Sequence, residues 1–122
     1  MREGTEQRRR VLVVEDDRDI ASLLSEILET EGYVAVAVTD AASLQGQLDP
    51  RPALVVLDLR LTRGGGDQII GFLKERGLGD VPVLLLSAAS DLPDRAKDLG
   101  VTAYLAKPFE LETFLLAVQE LT

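Results

Sequence analysis

The chain has 122 residues, 46% of them apolar and 28% charged, with a net charge of −8 at pH 7. That length fits one domain with one real core, and the balance is unlike that of a disordered chain. There is no cysteine and no histidine, which excludes disulfides, thiol catalysis and imidazole as base or metal ligand, while the negative charge argues against nucleic acid or an anionic membrane as main partner.

Residues 1–10 are polar and are expected to form a frayed tail, so the domain proper is set at 11–122. The Arg8-Arg9-Arg10 cluster reads first as solvated charge and second as a phosphate-binding patch. No signal-peptide core follows the polar start, and no apolar run is long enough to span a bilayer, so a soluble cytoplasmic protein is expected. Short β-branched or leucine-rich runs then recur at 11–14, 34–38, 53–57, 81–86 and 103–105 and predict five strands. The runs at 11–14, 53–57 and 83–86 are apolar without alternation, as central strands are. "VAVAV" at 34–38 is placed nearer an edge.

Helical patterns fill the gaps. Ile20, Leu23, Leu24, Ile27 and Leu28 follow the spacing of one buried helix face, with acids at the start and Gly32 at the stop. Shorter helices are predicted at 41–48, 67–76 and 93–99, with Gly66 and Pro93 marking starts and Gly77 and Gly100 marking stops. A last helix carries Leu111, Phe114, Leu115, Val118 and Leu121 after Pro108. Strands alternating with helices predict an α/β fold, a five-stranded parallel sheet in a doubly wound (βα)5 arrangement with helices on both faces.

In such a sheet the site lies at the carboxyl ends of the central strands, where the strand order reverses. The first strand runs into Glu15-Asp16-Asp17, the third into Asp58, the fourth into Ser87, and Lys107 follows the fifth. Three or more carboxylates, a hydroxyl and an ammonium are therefore expected in one shallow pocket. Two like charges about 4 Å apart cost about 4 kcal/mol at an effective dielectric of about 20. Lys107 offsets one, and a hard, oxygen-liganded ion such as Mg²⁺ is the natural remainder. Acids after a strand are also often the cap and first turn of the next helix, and that reading is preferred for Asp17 and Asp19. For Asp16 the two readings are even. Asp58 stands alone between apolar segments, which favours a site.

With "VVEDD" at 13–17, "LVVLDLRL" at 54–61, Gly66, "LLSA" at 85–88 and "YLAKPF" at 104–109 in order, the chain resembles the receiver domain of two-component response regulators over nearly its whole length. The resemblance implies a CheY-like, flavodoxin-type three-layer sandwich and a phosphorelay switch. Asp58 would accept a phosphoryl group from a sensor histidine kinase or a histidine phosphotransfer protein. Glu15, Asp16, Asp58 and the backbone carbonyl of Arg60 would hold Mg²⁺, Asp16 more directly and Glu15 through water. Ser87 and Lys107 would bind the phosphoryl group beside Ala88, and Ser87 with Tyr104 would form the switch. Arg60 and Ala89 would tune phosphate lifetime. The chain would not be an enzyme beyond Mg²⁺-dependent self-phosphorylation and slow autodephosphorylation. The absence of histidine fits, since the donor brings its own.

Four features depart from the family pattern. Thr62 stands where proline is usual, and Gly64-Gly65-Gly66 predict a flexible loop. The stretch from Ser87 to Gly100 is about two residues short of the common spacing, so a short or displaced fourth helix is expected. Arg60 and Ala89 occupy the lifetime positions. The last helix has no basic residue, which argues against the charged dimer face of winged-helix regulators. Three other readings compete. A haloacid-dehalogenase-type phosphatase needs an acid at position 60, which is Arg. A pseudo-receiver would bind partners without phosphorylation. A receiver fragment of a larger transcriptional regulator would have lost its output domain. Exposed apolar positions near Tyr104, Leu105 and the last helix are the expected output surface, toward a partner or in a phosphorylation-dependent homodimer.

Overall fold

The computed structural model describes residues 9–39, 41–58, 65–87, 94, 96–97, 100–101 and 103–122. Strands β1 (Arg10–Val14), β2 (Val34–Val38), β3 (Leu54–Asp58), β4 (Val83–Ser87) and β5 (Ala103–Ala106) alternate with helices α1 (Arg18–Thr30), α2 (Ala41–Gln45), α3 (Gly65–Glu75) and α4 (Leu111–Leu121). Between β4 and β5, Asp94, Ala96 and Lys97 are helical, and Gly100 follows them. The rest of that predicted helix lies outside the described residues.

All pairings are parallel, in the order β2-β1-β3-β4-β5. β1 sits between β2 and β3, with Leu12 beside both Val36 and Val55. The order reverses there, and a crevice forms at the carboxyl ends of β1 and β3. As expected, "VAVAV" is an edge strand, and β1, β3 and β4 lie inside the sheet.

Side-chain alternation along the strands divides the core in two. Leu12, Val14, Val55, Leu57 and Leu85 face one side and pack with Leu44 of α2, Ile69 and Leu73 of α3, and Ala96. Val11, Val13, Val56, Leu84 and Leu86 face the other, against Leu24 and Leu28 of α1 and Phe114 and Val118 of α4. The result is the expected three-layer sandwich, and its core is almost wholly aliphatic.

Local chemistry sets the helix ends. Asp17 caps α1, its Oδ1 accepting from the backbone N–H of Asp19 at 3.0 Å and of Ile20 at 3.2 Å. Gly32 ends α1 at φ 95, a conformation open to glycine at little cost. There the N–H of Tyr33 reaches the Leu28 carbonyl at 3.1 Å and that of Gly32 the Glu29 carbonyl at 3.0 Å. The same bond pair closes the helical stretch before Gly100, from Val101 to Ala96 and from Gly100 to Lys97, each 3.0 Å.

Some boundaries differ from expectation. α2 stops at Gln45 and does not reach 48, although Leu44 and Leu48 are both buried. α3 begins at Gly65 and ends at Glu75. The expected tail of 1–10 gives up its last residues: Arg10 opens β1, and the Arg9 and Arg10 carbonyls accept from Val34 at 2.9 Å and Ala53 at 2.8 Å. The pull of parallel-strand pairing on the backbone outweighs the polarity of the two side chains. Residues 1–8, including Arg8, lie outside the described residues.

Candidate functional site

Asp58 is the last residue of β3 and Ser87 the last of β4, while Glu15 follows β1 directly. Each therefore inherits the position of a strand buried on both faces. Asp58 is 0% exposed, Glu15 1% and Ser87 4%.

Lys107 enters from the turn after β5. Its N–H donates to the Ser87 carbonyl at 2.8 Å, continuing the β4–β5 ladder by one step past the pairing of Ser87 with Ala106. That anchor sends the ammonium back over the sheet. Nζ donates to Asp58 Oδ2 at 2.7 Å and stands 3.9 Å from Glu15 Oε1. Glu15 is fixed at both ends: its N–H donates to the Val38 carbonyl at 3.0 Å, and its Oε2 accepts from the Asp17 N–H at 3.1 Å.

Two buried carboxylates against one ammonium leave an excess negative charge. Burial pushes the Glu15 carboxyl from 4.5 up to about 7, helped by its hydrogen bond to Asp58; the Asp17 N–H and Lys107 pull it back. A proton on Glu15 thus balances the pocket. A hard divalent cation answers the same imbalance with oxygen ligands, so the donor set fits Mg²⁺, with the carboxylates of Glu15 and Asp58 as inner groups.

The predicted residues do not all gather. Glu15, Asp58 and Lys107 come together, and Ser87 joins them at the sheet rim. Asp16 is exposed, and Asp17 is occupied as the cap of α1. Among the described residues no three acids stand close enough to hold an ion by themselves. The expectation of three converging carboxylates is corrected to a buried pair plus an exposed neighbour. The reason is local: Glu15 directly follows β1 and is still covered, whereas Asp16 lies one residue further on, where the chain turns toward α1, and is exposed. Arg60, Ala88 and Ala89, with Thr62 and Gly64, lie outside the described residues. Tyr104 is 45% exposed on β5, opposite Leu85 in register and two pairs short of Ser87.

One feature escaped the sequence reading. An apolar groove of about 580 Å³ runs between α1 and α4, lined by Ile20, Leu23, Ile27, Phe109, Leu111 and Phe114 and bounded by Lys107. Leu23 and Leu111 are 56% and 49% exposed beside it. Both fit the helical period as core positions, and only the distance between two helices far apart in sequence shows that they border a groove. No described helix is long and apolar enough to cross a membrane.

Comparison with known proteins agrees with this geometry. The family model described as the response regulator receiver domain matches residues 11–119. The chain is 39% identical to the phosphate regulon transcriptional regulatory protein PhoB of Escherichia coli over 83% of its length, and 38% identical to the transcriptional regulatory protein PrrA of Mycobacterium tuberculosis over 92%. It spans about half the length of these relatives, 46% and 49%. The chemotaxis protein CheY4 of Vibrio cholerae has the same fold, with a TM-score of 0.84 at 23% identity, covering 95% of this chain and 100% of that one.

Proposed function

The chain belongs to the receiver domains of two-component response regulators, and from that premise we propose that it is a phosphorylation switch whose acceptor is Asp58. The observation that carries the proposal is the buried Asp58 carboxylate, held by Lys107 at 2.7 Å with Glu15 alongside. Phosphoryl transfer needs positioning and charge neutralisation more than acid–base chemistry. An Asp58 oxygen attacks phosphorus as the bond to the donor's phosphohistidine nitrogen breaks. Lys107 then follows the phosphoryl oxygens, trading one carboxylate contact for a phosphate contact. Glu15 and Asp58, with the exposed Asp16 beside them, would hold Mg²⁺, which would further neutralise the phosphoryl charge. Ser87, at the end of the neighbouring strand, donates its hydroxyl to the same group. Tyr104 responds by leaving its exposed position.

The donor is a sensor histidine kinase or histidine phosphotransfer protein. The groove between α1 and α4 is its docking place, because Lys107 borders both groove and acceptor. Output passes to a partner protein or to a further domain of a longer regulator. The chain turns over no substrate of its own beyond self-phosphorylation and slow loss of the phosphate.

Intact mass after incubation with Mg²⁺ and a small acyl-phosphate donor tests this, beside Asp58→Asn. One added phosphoryl group on the parent chain, none on the variant and none with EDTA is the expected result. No adduct, together with no effect of Mg²⁺ on the melting temperature, would replace the switch by a receiver fold used only for binding.

A further inference from the structure

The amino-terminal end of the sheet, opposite the acidic site, carries a basic groove of about 940 Å³ lined by Arg9, Arg10, Arg51, Val34, Pro50 and Pro52, together with Ala53. Three arginines gather here on a chain of net charge −8. Arg9 and Arg10 are consecutive, so they leave β1 toward opposite faces and straddle the end of the sheet. Their backbone carbonyls are bonded to Val34 and Ala53, which fixes both Cα positions.

The guanidinium groups are held as well. Arg9 donates to the Thr122 carbonyl. Arg10 donates to the carbonyls of Pro50 and Gln47 and to Gln47 Oε1, the last two at 3.0 and 3.3 Å. Arg51 pairs with Asp80. Each guanidinium has five N–H donors, so all three retain donors beyond these contacts. Among the described residues Arg51 pairs with Asp80, and the charge of Arg10 is held by neutral oxygens. The groove therefore presents positive charge already fixed in place, which lowers the ordering cost of binding.

The geometry points to a docking site for an acidic peptide segment of a partner protein, its carboxylates on Arg9, Arg10 and Arg51 and an apolar side chain over Val34, Pro50 and Pro52. Charge complementarity selects an acidic ligand. The apolar floor and the size of the groove suit a peptide over a small inorganic anion. The negative charge of the rest of the chain repels a long polyanion such as nucleic acid. β2 is the edge strand, and among the described residues no further strand closes the groove beside Val34. The site lies at the far end of the sheet from Asp58 and needs no phosphorylation.

Fluorescence polarisation of a labelled peptide alternating glutamate and leucine, measured on the unphosphorylated chain at low ionic strength, tests the inference. Competitors are inorganic pyrophosphate and a single-stranded oligodeoxynucleotide of equal charge. The peptide is expected to bind, and Arg9→Glu is expected to weaken it about tenfold or more, in the range for charge pairs at an interface. Asp80→Asn, at an exposed position, releases Arg51 and is expected to tighten binding, so the proposal stands on a gain even if Arg9→Glu misfolds. Absence of peptide binding, indifference to Asp80→Asn, or tighter binding of the oligonucleotide or of pyrophosphate would overturn it. Asp58→Asn leaves the peptide affinity unchanged, which separates this site from the switch.

Discussion

At the carboxyl end of the sheet, a partly exposed Lys107 holds Asp58 at 2.7 Å, and Asp58 and Glu15 are almost wholly out of water. At the amino end, Arg51 meets Asp80 with side chains 49% and 76% exposed. The two contacts are the same chemistry in different solvents. In the first, the carboxylate has lost its hydration and depends on a lysine that is itself only partly exposed. In the second, water solvates both ions whether or not they touch. A pair of the first kind can store an imbalance that a phosphoryl group or an ion later relieves. A pair of the second kind cannot, and serves only to place charge.

Removing the cation from the buried end should have the largest effect. Lys107→Met leaves Asp58 and Glu15 facing each other with no positive charge, and a loss of about 3 kcal/mol is expected in urea unfolding at about pH 8. The loss should shrink toward about pH 5, where Glu15 holds a proton that does part of the lysine's work. An equal loss at both values would mean that the carboxylates are hydrated and independent.

The parent chain should report the same imbalance through pH. Glu15 titrates near 7 in the folded protein against 4.5 ordinarily, so the folded state holds this proton more tightly than the unfolded chain. Its contribution is complete below about 4.5 and is lost as pH rises through about 7. Mg²⁺ competes with that proton, so its effect on the melting temperature should be larger at about pH 8 than at about pH 6. Scanning calorimetry with and without the ion measures this. An identical shift at both values would put the ion away from Glu15.

The acids after β1 sharpen the comparison within one short segment. Asp17→Ala removes the cap bonds to Asp19 and Ile20 and should cost about 1 kcal/mol. Asp16→Asn, exposed and outside the cap, should change stability by less than about 0.5 kcal/mol while reducing the stabilisation by Mg²⁺. A loss of Mg²⁺ response in Asp17→Ala with none in Asp16→Asn would exchange their roles.

These pairs also mark what the sequence could convey. Strand runs such as "LVVL" and the glycines at 32, 77 and 100 carry their structure locally, because burial on both faces and a positive φ leave direct traces in residue type. Asp58 was legible for a similar reason, as one acid inside an apolar stretch. Asp17 was legible as the cap of α1, whereas the burial of Glu15 beside an exposed Asp16 was not. Adjacent acids look alike in sequence, and the direction of each side chain depends on where β1 stops and α1 starts. Arg9 and Arg10 looked like solvated tail because their strand partners, Val34 and Ala53, lie well away along the chain. The α1–α4 groove was hidden in the same way.

The exposed pair at the amino end should give the smallest response, and that is its value as a control. Arg51 holds the Asp80 carboxyl below its usual range, yet Asp80 stands in open water. Asp80→Asn should leave the urea midpoint of the parent chain unchanged at low salt and at high salt alike. If it instead lowers stability at low salt and the loss disappears as salt is added, the Arg51–Asp80 contact carries folding energy. Charge at this end would then be structural, as it is around Asp58, and the two ends of the sheet would differ in degree and not in kind.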